Sequence, residues 1–145
     1  MSRWNGVFEF QILSAPNTHG TRTVLWENAN HNNLADEGER NVLDSYLRNL
    51  NHPASFRLRL FNDTPLDTDS LASLTGEPGN NVGYAPQAIL RSSSADGWPT
   101  LGWLSGNAQA SSKQVSFDFI GTSTVTYAVL ATTSDNSGLH ISYAS

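Results

Sequence analysis

Twenty residues at 71–90, LASLTGEPGNNVGYAPQAIL, set the terms for the rest of the chain. The stretch begins polar, with Gly76, Gly79 and Gly83 and with Pro78 and Pro86, and ends in an apolar run from Tyr84 to Leu90. Glycine reaches positive φ at little steric cost, and proline holds φ near about −65°. A segment built this way turns sharply, forms neither helix nor ladder, and delivers Tyr84 into a sheet. Its only carboxylate is Glu77. It reads as a shaped connection on a rigid β scaffold, which points to assembly rather than chemistry.

The flanking chain supplies that scaffold. Phe8, Phe10 and Ile12 alternate with Glu9 and Gln11, the period of a half-buried strand. A turn at 15–20 leads to a second strand at 21–27, which pairs with the first as a hairpin. Phe56, Leu58 and Leu60 alternate with Arg57 and Arg59 in a third strand at 55–61. Further strands are expected at 84–91, 101–104, 115–120, 125–131 and 139–143, separated by Ser-, Asn- and Gly-rich turns at 92–99, 105–112 and 132–138. One helix is expected, at about 34–50. Asn32 or Asn33 caps it, and Asp36, Glu37 and Glu39 lie at its positive end. Leu34, Gly38, Val42, Leu43, Tyr46, Leu47 and Leu50 form its apolar stripe. Gly38 inside it costs about 1 kcal/mol against alanine, so it marks close approach to another backbone. Asn51-His52-Pro53 ends it. The connection at 62–82 is long enough to suggest a functional loop, with one helical turn at 69–74 anchored by Leu71 and Leu74.

Composition narrows the class. The 145 residues hold no cysteine, which excludes disulfides and thiolate metal sites. Charged residues make up 14 %, against about 25 % in an average soluble chain. The net charge is −5, and eight scattered Lys and Arg give no nucleic-acid footprint. No run reaches the roughly 18 apolar residues of a membrane span. The start, MSRWNGVFEFQIL, lacks the continuous apolar core of a signal peptide, so synthesis in a cytoplasm is expected. The expected fold is mainly β: one domain over 1–145, a β-sandwich or jelly-roll-like barrel with the single helix, and residues 1–6 as an N-terminal arm.

Three segments carry a resemblance. ENANHNNLADEGERNVLDSYL at 27–47 runs from a strand through an Asn-rich turn into an acidic helix. FRLRLFNDTPLDTDSLASLTGEPGNNVGYAPQAIL at 56–90 runs from a strand through a polar loop to Gly83-Tyr84-Ala85. TSTVTYAVLATTSDNSG at 122–138 is a strand and a small polar turn. In this order they resemble the small structural proteins of tailed bacteriophages, a group of capsid decoration and head or tail accessory proteins. Pro86 stands where that group often has Arg, and Asn80, Asn81 and Val82 dilute its glycine tract. The resemblance implies a β-rich virion component, made in the host cytoplasm, without a cofactor and without enzymatic activity. Its expected partner is the major capsid protein or another virion protein, and self-association, as a trimer, is expected with it.

His19, His31, His52 and His140 show no paired-ligand spacing on a helix, and three of them fall in turns, so solvated loop histidines are expected. Asp63, Asp67 and Asp69 suit Ca²⁺ by residue type, but the EF-hand glycine and bidentate Glu are missing, and Asp and Thr are also turn formers. Glu9 and Glu27 are placed to face each other across the first hairpin, although outward strand positions carry Glu routinely. No Gly-x-Ser-x-Gly elbow occurs. No catalytic, metal or cofactor residue is therefore assigned. Trp98 and Trp103, in DGWPTLGWLSG, serve either as core or as a contact surface. On a β-sandwich they would also make a stacking platform for sugars, which keeps a carbohydrate-binding module as the alternative from another class. Trp4, Arg57, Arg59, Asp67, Asp69, Trp98 and Trp103 are the candidate partner contacts, with Arg57 and Arg59 expected on a solvated strand face.

Overall fold

The computed structural model describes residues 6–13, 16, 18–50, 52–104 and 107–145. Its elements are β1 (Gly6–Leu13), β2 (Val24–Leu34), α1 (Asp36–Leu47), β3 (Ser55–Phe61), β4 (Gln87–Leu90), β5 (Thr100–Leu104), β6 (Asn107–Ser111), β7 (Tyr127–Ala131) and β8 (His140–Ala144). The protein is a mainly β domain with one α-helix. Its body is an antiparallel sheet in the order β2-β8-β7-β3-β4, and β1 adds a sixth strand along the outer edge of β2. β2 serves two partners: residues 24–32 pair with β1, while Asn33 and Leu34 pair with Tyr143 and Ser142 of β8. β5 and β6 form a separate two-stranded hairpin.

The alternation in β3 sorts its side chains onto two faces, and both are covered. Leu58 and Leu60 join Ile89, Ala128, Leu130, Ile141 and Tyr84 on one side, beneath Trp98, Val115 and Phe117. Phe61 joins Val129, Ala131 and Tyr143 on the other. That second face is closed by the long connection after β3. The connection winds into a 3-10 turn, Leu71–Ser73, and buries Leu71 and Leu74 against the sheet. It also closes back on the end of β3, where the N–H of Asn62 donates to the carbonyl of Gly76 at 3.0 Å. Gly76 sits at φ +73°, and an added Cβ there would press on the Asn62 carbonyl.

Several expectations need correcting. Residues 115–120 pair with no strand; instead Ile120 N donates to Val82 O at 2.8 Å, and Phe117 and Phe119 stack on the Tyr84 ring. β6 lies in a stretch read as a turn, because Asn107-Ala108-Gln109-Ala110-Ser111 has no large apolar residue to mark it. β2 runs on through the Asn-rich segment, and Tyr84 lies before β4 rather than in it. In the register of β1 with β2, Glu9 pairs with Ala29 and Glu27 with Gln11, so the two positions are diagonal rather than directly opposite.

The helix is shorter than expected and turned the other way. Its N-cap is Ala35, which offers no side-chain cap. The first turn is held instead by backbone bonds, Ala35 N to Ile141 O at 2.9 Å and Asp36 N to Asp67 O at 2.8 Å. The helix buries Gly38, Asn41 and Asp44. Gly38 rests on the backbone of Ile141, where any Cβ would collide with the carbonyl; this is the close approach its position in the helix implied. Leu43, Tyr46, Leu47 and Leu50 point outward. At about 100° per residue, Gly38 lies roughly 130° around the helix from the centre of Leu43, Tyr46 and Leu47, so it does not belong to their stripe.

Candidate functional site

Three places gather polar or apolar groups in ways the fold alone does not require. The first is at the end of β3. Arg59, 1 % exposed, lays its guanidinium along the carboxylate of Glu77, with Nε donating to Oε1 at 2.8 Å and Nη2 to Oε2. Its remaining donors hold the turn after β7, through Asp135 O at 2.7 Å and Asn136 Oδ1 at 2.8 Å. The Tyr84 hydroxyl donates to Glu77 Oε1 at 2.8 Å and accepts the Leu60 N–H at 2.9 Å, filling the edge of β3 that β4 leaves open. Burial raises the Tyr84 pKa well above its ordinary value, opposed by the Leu60 N–H, with Glu77 adding to the rise. The Arg59 fork is thus satisfied from within, and the hydroxyl stays protonated. The cluster ties β3, the 62–83 connection and the 132–138 turn together.

The second is the junction of α1 with β8. The pairing of β7 with β8 slips between Leu130 and Ala131, leaving Ile141 as an extra residue. Such a bulge frees ladder groups. The helix start takes up both of them: Ile141 O accepts from Ala35, and His140 N donates to Glu37 Oε2 at 2.7 Å. The His140 ring is fully buried, 0 % exposed, beside Tyr143. Its Nδ1 lies 3.0 Å from Asp69 O, while Nε2 has no partner. His140 is the histidine that the sequence places in a strand rather than a turn, and the structure buries it at the bulge.

The third is the outer side of α1. Leu43, Tyr46, Leu47 and Leu50 are 58 %, 87 %, 70 % and 45 % exposed. Leu43, Tyr46 and Leu47 sit at i, i+3 and i+4 on α1; Leu50 follows just beyond the helix, after Asn49 at φ +55°. Beside them runs an open groove of about 300 Å³, where Val42 and Tyr46 face Pro53, Phe56 and Arg91. Asp36 and Glu39 are exposed on the first turns. The sequence reads these residues as one apolar stripe together with Leu34, Gly38 and Val42. The signal against that was Gly38, whose close contact had to lie on the opposite side.

Among the described residues, the expected contacts Arg59, Asp67, Asp69 and Trp98 each meet different partners. Arg59 is a correction: its guanidinium is consumed internally and has no free edge for a partner. Arg57, two residues earlier, is half-buried. Asp67 is exposed but accepts the Tyr143 hydroxyl at 2.8 Å, and Asp69 Oδ2 accepts Leu66 N at 2.8 Å. Asp63 accepts from Thr75 N and Thr64 N, each at 2.7 Å; the first of these contributes most to holding its carboxyl below the usual range. These aspartates serve separate local bonds. Among the described residues no group of three His, Asp or Glu is placed to hold a metal ion. Trp98 is half-buried, edge-on to Phe56 at 6.0 Å between centroids, and packed on the core. Trp4 and the side chain of Trp103 lie outside the described residues. Among the described residues no helix is long and apolar enough to cross a membrane.

Comparison with protein-family models, with curated proteins and with solved structures finds no match for this chain.

Proposed function

We propose that this protein is a non-enzymatic structural component of a virion, a capsid decoration protein that binds across major capsid subunits and reinforces the shell. The observation that carries an assembly role is the outward stripe of α1. Fully burying a Leu side chain is worth about 1.5–3 kcal/mol. Leu43, Tyr46 and Leu47, held in water on a well-anchored helix, with Leu50 just past its end, forgo that stabilisation until a partner covers them. The anchoring matters as much as the stripe, because a preorganised surface loses little entropy on docking. The resemblance of the three segments to phage structural proteins supports the virion setting. A ligand that binds only the assembled lattice stabilises it by mass action. Self-association, with a trimer as the expected state, would add avidity to contacts that are individually weak.

Trp98 offers little to the carbohydrate-binding alternative, because its ring is engaged with Phe56 and the core. The test is co-sedimentation with expanded, undecorated shells of the encoding virus. The native chain is expected to pellet with them, and the double variant Leu43→Lys/Leu47→Lys to stay in the supernatant with its circular dichroism unchanged. Native protein that ignores the shells but co-purifies with tails would replace decoration by a tail or head–tail role. Retained pelleting by the double variant would remove the stripe from the contact.

A further inference from the structure

His140 stands where three parts of the molecule meet. Its backbone N–H is held by Glu37 of α1, its ring by Asp69 of the long connection, and it belongs to β8. Glu37 Oε2 also reaches the N–H of Leu71, at 3.4 Å, where the 3-10 turn begins. A backbone carbonyl can only accept, so the ring proton is on Nδ1, and Nε2 is a bare lone pair sealed from water. The neutral ring is tolerated there. A proton added at Nε2 makes a buried N–H⁺ with no acceptor, the arrangement that costs most inside a protein.

We propose that His140 is an acid-operated latch: protonation of Nε2 expels the ring and frees the start of α1 and the 3-10 turn from the sheet, while β3 and β7 stay paired.

The groups facing the ring set the direction. Burial disfavours the cation; against it act the Asp69 carbonyl and the carboxylates of Glu37, Asp69 and Asp67. Tyr143 of β8 lies against the ring, its hydroxyl bonded to Asp67. Across the ladder, Ala131 separates His140 from Arg57 in the same row, the cation that β3 contributes. Burial prevails, and the folded pKa falls below the ordinary 6.5. The unfolded or opened ring therefore takes up a proton first. The latch is at full strength above about pH 6.5 and weakens as pH falls from there towards the folded pKa. Expulsion of the ring removes the bond to Asp69 and displaces the N–H that Glu37 holds. The hold of Glu37 on Leu71 then goes with it, because one carboxylate serves both.

Amide hydrogen exchange on the whole chain at about pH 7.5 and about pH 5, corrected for intrinsic rates, reads the opening directly. Protection at 36–47 and 69–75 is expected to fall about tenfold per pH unit below the ordinary histidine pKa, with β3 and β7 unchanged. His140→Gln is expected to abolish that pH dependence. Should that variant fail to fold, ¹⁵N-histidine spectra of the native chain carry the test: they are expected to show Nδ1–H at neutral pH and protonation below pH 6.5. Protection that is insensitive to pH, loss spread equally over β3 and β7, an Nε2–H tautomer, or protonation at or above the ordinary value would each overturn the proposal.

Discussion

Arg59 shows what a single residue does in this fold. An alternating strand announces two faces but not what covers them, and Arg59 looks solvated until Glu77 of the 62–83 connection is laid along it. Glu77, read as an isolated carboxylate in a turn, is the group that makes burial of Arg59 tolerable. Removing one partner of such a pair leaves a charge in the interior, at about 3–5 kcal/mol. Glu77→Ala is therefore expected to cost at least about 3 kcal/mol in urea unfolding. The double variant Arg59→Met/Glu77→Leu should regain much of it, since an apolar pair of similar volume leaves no charge behind. A double variant as unstable as Glu77→Ala would show that the arginine is needed for its bonds to Asp135 and Asn136 rather than compensated by Glu77. Tyr84→Phe leaves the Leu60 N–H without its acceptor and should cost about 1–3 kcal/mol, read in the same unfolding experiment.

At the scale of elements, local pattern was legible and orientation was not. The strand at 55–61, the turn anchored by Leu71 and Leu74, and the existence of α1 all follow from period and punctuation. β6 does not, because small polar residues carry no period. The helix is the instructive case. Its apolar residues have the spacing of a core stripe, yet the residues it buries are Gly38, Asn41 and Asp44, with Gly38 against β8. The bulge in β8 presents bare backbone to the helix start, which excludes a side chain at Gly38 and is bonded by Ala35 and Glu37. Hydrophobic periodicity reports that one side of a helix wants cover; it does not say whether the same chain supplies it. Gly38→Ala tests the orientation. Alanine improves intrinsic helix propensity by about 1 kcal/mol, but here its methyl meets the Ile141 carbonyl, and a net loss of about 1–3 kcal/mol in thermal unfolding is expected. A gain in stability would mean that α1 does not sit on β8.

For the whole molecule, pH separates two contributions. Hydrogen bonds from Thr75 and Thr64 hold Asp63 below its ordinary 3.8, and those from Ser137 do the same for Asp135. For both, the folded pKa is depressed, so their contribution is present above about pH 4 and is lost as pH falls below it. The buried histidine acts earlier, below about pH 6.5. Chemical unfolding across pH should therefore show two descending limbs, with the lower one shallower in Asp63→Asn.

The outer side of α1 concerns the largest scale, because a rigid domain that keeps four large apolar side chains in water is built to meet something else. The most direct measurement is a reconstruction of the encoding virus particle. The account predicts many symmetry-related copies on the head, with Leu43, Tyr46, Leu47 and Leu50 buried against a neighbouring subunit. Copies on the head with that face of α1 in open solvent, or no copies in the particle at all, would contradict it.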